Sequence, residues 1–156
     1  MHHSNRSFRH CRISTLLLLF AVFAASAIAA DDWAGTVKAA IGAVAVERDG
    51  KAIPINVGDK VMPKDKLVTG KDSRIAVTLR DDTLISTGAN SQLALSEFTF
   101  DPATQAGSLF VSVLRGVTAM VSGLVAKTNP HAMLITTPTA TCGIRGTEFI
   151  VEVEGE

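Results

Sequence analysis

Through most of the chain after residue 43, apolar side chains recur at every second position, the spacing that puts one face of a β-strand on a core. Val44 and Val46 run to Asp49-Gly50, and Ile53, Ile55 and Val57 follow. Asp-Gly between two alternating runs is a strong hairpin signal, because both turn positions need positive φ. Pro54 has no amide to donate, which predicts an edge strand or one that begins late. Gly58-Asp59, Pro63-Lys64-Asp65, Gly70-Lys71-Asp72-Ser73, Asp81-Asp82 and Gly88-Ala89-Asn90 then separate short apolar runs, and residues 101–107 form a polar loop. The final run is regular: Thr147, Phe149, Val151 and Val153 face one way, while Glu148, Glu152 and Glu154 face the other.

Runs this short suit strands and not stable helices. Residues 122–127 predict one helical turn, stopped by Thr128-Asn129-Pro130. The expected fold is therefore all-β, with short antiparallel or solenoid-like stacked sheets, either a β-sandwich or β-helix-like. Turn-strand units recur loosely between Gly58 and Leu95, with no fixed-period repeat of identical motifs.

The first thirty residues are of another kind. Arg6, Arg9 and Arg12 precede an apolar run over residues 16–25 and then small residues ending in Ala27-Ile28-Ala29. This is the pattern of a secretory signal peptide. The run is about ten residues, against roughly twenty for a membrane-spanning helix. Residues 1–29 are thus expected to be removed, leaving one β domain over 30–156 and no stable membrane span. Removal takes Lys+Arg from 15 to 12 against 15 acidic residues, a net charge of −3. With no basic cluster, nucleic acid is not an expected partner. Cys142 would be the one cysteine left, so no internal disulfide forms, and its apolar and small neighbours predict a core position.

The residues offer little chemistry. With the leader removed, His131 is the one histidine left, and beside Pro130 it reads as a solvated loop residue. One histidine and one cysteine do not assemble a zinc site. Thr69-Gly70-Lys71-Asp72 lacks the serine or threonine of a phosphate loop. Asp81 and Asp82 are adjacent, so on a strand they would point to opposite faces and not flank one bond. The three glutamates of the last run read as a solvated face. No catalytic residue, metal ligand or cofactor is assigned, and no binding residue is singled out.

The stretch Thr137-Pro138-Thr139-Ala140-Thr141-Cys142-Gly143-Ile144-Arg145-Gly146-Thr147-Glu148-Phe149 resembles the TP-x-A-x-x-x-x-RGT-x-F segment of the FecR domain family. Gly58 with Thr69, the run from Ile75 to Leu79 leading into Asp81, and Leu114-Arg115-Gly116-Val117 agree, so the similarity spans about Gly42 to Glu154. The family's best-known members join a cytoplasmic sigma-factor regulator, a membrane helix and a periplasmic sensor of an iron transporter. The resemblance implies an all-β, partly solenoid-like fold and a protein-binding role. Asp81-Asp82 departs from the family's usual Asp-Gly, and the cytoplasmic segment has no counterpart in front of the domain. Gly146 is expected to allow a tight bend before the last strand, and Arg145 to pair with an acidic loop residue or stack over a turn.

The expectation is a stand-alone, non-catalytic periplasmic or secreted domain of a Gram-negative envelope that recognises an envelope protein or a polymer such as polysaccharide or peptidoglycan, in envelope signalling. Two other roles stay open: an assembly protein self-associating through free sheet edges, and an envelope carbohydrate enzyme using Asp81, Asp82 or Glu97.

Overall fold

The computed structural model describes residues 33–144 and 148–154. The proposed leader, and Arg145, Gly146 and Thr147 of the family-like segment, lie outside the described residues. In chain order the strands are β1 (Gly35–Ile41), β2 (Val44–Arg48), β3 (Lys51–Pro54), β4 (Lys60–Val61), β5 (Lys66–Thr69) and β6 (Arg74–Leu79). They continue with β7 (Leu84–Thr87), β8 (Gln92–Phe100), β9 (Gly107–Val121), β10 (Met133–Thr136), β11 (Thr141–Gly143) and β12 (Glu148–Val153). One short helix, α1 (Leu124–Thr128), and a 3₁₀ turn at Pro130–Ala132 link β9 to β10. The all-β expectation holds, with short strands throughout.

The strands form one sheet that curls over on itself like half a barrel, and β9 belongs to both leaves of the curl. In the first leaf the order is β3-β2-β5-β8-β9, followed by β10 and β11. In the second it is β4-β1-β6-β7-β9-β12. Strand alternation sends Val46, Leu67, Leu93, Leu95, Val111 and Val113 inward from the first leaf. Val37, Ile75, Val77, Ile85 and Met120 meet them from the second, all in one core cluster. The hairpin at Asp49-Gly50 forms as expected, with φ of 51° and 74°. Pro54 ends β3 at a sheet edge, where a missing donor costs nothing.

An internal two-fold relation organises this curl, and sequence reading misses it. Asp65-Lys66-Leu67-Val68-Thr69-Gly70-Lys71-Asp72-Ser73-Arg74-Ile75-Ala76-Val77 aligns with Thr83-Leu84-Ile85-Ser86-Thr87-Gly88-Ala89-Asn90-Ser91-Gln92-Leu93-Ala94-Leu95. The first segment crosses from the first leaf to the second, and the other crosses back. Each crossing has a residue of positive φ, Asp72 or Asn90, just before its serine.

Two further corners complete the relation. Gly42 turns β1 into β2, and Gly116 bends β9 from one leaf into the other, with φ of 77° and 83°. A Cβ on Gly42 would collide with the Ser73 side chain, and one on Gly116 with that of Ser91. The next amide in each case donates to that serine: Ala43 N–H to Ser73 Oγ at 2.9 Å, and Val117 N–H to Ser91 Oγ at 3.1 Å. Gly70 N–H donates to the Ala43 carbonyl and Gly88 N–H to the Val117 carbonyl, both at 2.9 Å. Strand registers follow suit. Val44 opposite Thr69 and Val46 opposite Leu67 correspond to Thr118 opposite Thr87 and Met120 opposite Ile85. The edge strand β3 on β2 corresponds to β12 on β9.

Two expectations change. Cys142 is exposed, not in the core, because β11 is a three-residue edge strand whose residues are all open to solvent. The pairing of β10 with β9 is parallel, which short antiparallel hairpins do not predict. The crossover through α1 and the 3₁₀ turn makes it feasible.

Candidate functional site

The carboxylates considered for catalysis do not converge. Asp81 is fully buried at the β6–β7 turn and its oxygens are committed to the fold. They accept from Thr83 N–H at 3.1 Å, Thr83 Oγ1 at 2.7 Å and Val125 N–H at 3.4 Å. The Asp81 carbonyl accepts from Leu124 N–H, so this turn anchors the start of α1. Asp82 is exposed with φ of 65°, a turn conformation. Glu97 points outward from β8 and accepts from Ser108 Oγ at 2.6 Å. His131 is exposed in the 3₁₀ turn, its own amide donating to Asn129 Oδ1. No group of three histidine, cysteine or acidic side chains is arranged for a metal among the described residues.

The other buried carboxylate among the described residues is Asp65, and it too is structural. Arg48 Nε donates to its Oδ1 at 2.7 Å and Arg48 Nη2 to its Oδ2 at 2.6 Å, a bidentate pair. Met62 N–H adds a third bond at 2.7 Å. The bond to Asp65 holds the Arg48 guanidinium proton more firmly than usual, raising its pKa.

A cleft of about 550 Å³ opens where three segments meet. The β9 bend supplies Leu114 and Arg115, the turn after β10 supplies Thr137, Pro138 and Thr139, and β12 with the residue after it supplies Glu152, Val153 and Glu154. Local rules explain each part. Gly116 bends the strand, leaving Arg115 exposed beside a register shift in its pairing with β8. The turn is closed by Thr137 N–H to the Ala140 carbonyl at 2.8 Å, with Pro138 at the second position, where its fixed φ fits. Alternation along β12 places Glu152 outward.

The cleft therefore offers a guanidinium, carboxylates and apolar surface from Leu114, Pro138 and Val153 within the volume range of ligand sites. It can hold a segment by charge and shape, and it contains no nucleophile paired with a base. Sequence reading left the binding residues unassigned. Arg115 and Pro138 do sit in two of the family-like segments, yet their convergence depends on the bend at Gly116 and the parallel placement of β10, which no local pattern reports.

A second surface basin of about 450 Å³ surrounds Trp33. Lys60 Nζ lies 3.7 Å from the ring centroid and the Arg80 guanidinium 5.5 Å from it, so the indole is engaged by cations of its own chain.

A family model described as FecR protein matches residues 65–156, the segment from β5 to the chain end that contains the whole cleft. No curated protein and no solved structure matches the chain. Among the described residues no helix is long and apolar enough to cross a membrane.

Proposed function

The chain belongs to the FecR family, a family of regulatory and signalling domains, and from that premise we propose that it is a non-catalytic recognition module of the bacterial envelope. In this reading the leader of residues 1–29 directs it to the periplasm and is removed. The domain then takes a segment of a partner protein into the cleft between Arg115, Pro138 and Glu152. The cleft carries the proposal, since it joins two of the family-like segments in an open site with both charge signs. Such a site suits an extended or looped peptide bearing an apolar side chain beside a charge.

The test is capture from envelope extracts of the producing bacterium by the wild-type protein and by Arg115→Glu and Pro138→Glu variants. Both substitutions are on exposed residues, so the fold is retained. A protein held by the wild type and lost by at least one variant is the expected result. Identical capture by all three, or capture of polysaccharide alone, would contradict it.

A further inference from the structure

The outer faces of the two leaves differ in what they leave uncovered. The first leaf exposes Leu114 at its bend but is otherwise bridged by polar side-chain pairs. Lys66 pairs with Glu47 at 3.0 Å, and Ser112 Oγ lies 3.0 Å from Ser96 Oγ and 2.7 Å from Thr136 Oγ1. The second leaf instead exposes large apolar side chains on adjacent strands: Leu84 of β7, Val117 and Val121 of β9, and Ile150 of β12, the last 69% exposed. Register makes them contiguous, since Leu84 is opposite Val121, and Val121 and Ala119 are opposite Glu148 and Ile150. Burial of such surface is favourable in proportion to the apolar area removed from water.

Charge identifies the occupant. On this face the β12 margin is acidic, with Glu148 and Glu152 flanking Ile150. Toward the other margin the exposed Arg74 of β6 lies in the same cross-strand row as Glu152, connected through Gly88 and Val117. One face carrying an apolar centre between Glu152 on one side and Arg74 on the other is complementary to itself. We propose that the outer face of the second leaf packs against the same face of a second copy of this chain, about a two-fold axis running along the strands between β7 and β9. That axis sets Leu84 of each copy against Val121 of the other, Ile150 against Ala76, and Glu152 against Arg74. Each contact occurs twice, as an isologous interface requires. An axis across the strands would instead set β12 on β12 and oppose like charges. Strand directions stay aligned, the usual arrangement of packed sheets. Glu152 also lines the cleft, but this interface does not rest on the partner-binding reading.

Sedimentation equilibrium of the protein as recovered from producing cells, over about 1 µM to about 1 mM, tests it; the range brackets the affinities of weak specific dimers. The expected result is a monomer–dimer equilibrium. Leu84→Lys should weaken it at least about tenfold, and Glu152→Arg or Arg74→Glu alone should weaken it several-fold. The combined Glu152→Arg, Arg74→Glu chain should regain the wild-type constant. Those residues are exposed, so each variant's circular dichroism should match the wild type. A monomer across the range, a dimer indifferent to Leu84→Lys, or a double variant no better than the singles would overturn the proposal.

Discussion

The two halves of the domain use the same corner and different fastenings. Gly42 with Ser73 and Gly116 with Ser91 repeat one geometry. At the position of Asp65, ion-paired to Arg48, the other half has Thr83, whose hydroxyl donates to Asp81. Thr69 Oγ1 donates to the Gly88 carbonyl at 2.5 Å and accepts from Ser91 N–H at 3.0 Å. Its counterpart Thr87 and the facing Thr118 have buried hydroxyls with no hydrogen-bond partner among the described residues. Outer strands differ most: β3 and β12 correspond, but β4 pairs antiparallel with β1 where the second half has β10 parallel to β9 and β11 beyond it. The corner is what the fold requires, and the departures from symmetry are where the cleft arises.

Substitutions can break this comparison, beginning with the corners. Gly42→Ala and Gly116→Ala should each cost about 3 kcal/mol or more, from positive φ and from collision with a serine. Urea unfolding should show losses of similar size; a neutral result at either glycine would break the equivalence. Next, Arg48→Met leaves the Asp65 carboxylate buried without its cation. Breaking a fully buried pair costs about 3–5 kcal/mol, and Arg48 is about one-third exposed, so about 2 kcal/mol is expected.

The threonines give a contrast of sign. Thr69→Val should destabilise by about 1–2 kcal/mol because it removes bonds to Gly88 and Ser91. Thr87→Val should be neutral or stabilising by about 0.5 kcal/mol, since no bond is lost. Equal losses at both positions would mean the hydroxyls are equally engaged.

The smallest effect belongs to Asp101, whose carboxyl is held below its usual value by the Ala103 amide and then the Thr104 hydroxyl. A lowered folded pKa contributes stability above the unfolded value near 3.8, lost as pH falls through the folded one. Asp101→Asn should lower stability at pH 7 slightly and make the decline of the urea midpoint below about pH 4 shallower.

Much of this fold is legible in the sequence. Alternation around Val44, Ile75 and Phe149 gives strands, Asp49-Gly50 gives a hairpin, and Thr128-Asn129-Pro130 ends the helix. These signals are local, set by φ preferences and by side chains pointing to opposite faces. The two-fold relation is masked in the sequence because Thr-Gly and Ser recur among substitutions such as Val68 to Ser86, where the outer face does not constrain the residue. Cys142 shows the opposite failure: its neighbours resemble a core, but no layer covers β11. The cleft is the least legible part, since Arg115, Pro138 and Glu152 meet only after the long strand bends.

Amide hydrogen exchange at Ala43 and Val117 tests the paired-corner account most directly, because each amide is held by a serine side chain. Both should exchange slowly, and Ser73→Ala should release Ala43 alone while Ser91→Ala releases Val117 alone. Free exchange of either amide in the wild type, or release of both by one substitution, would contradict it.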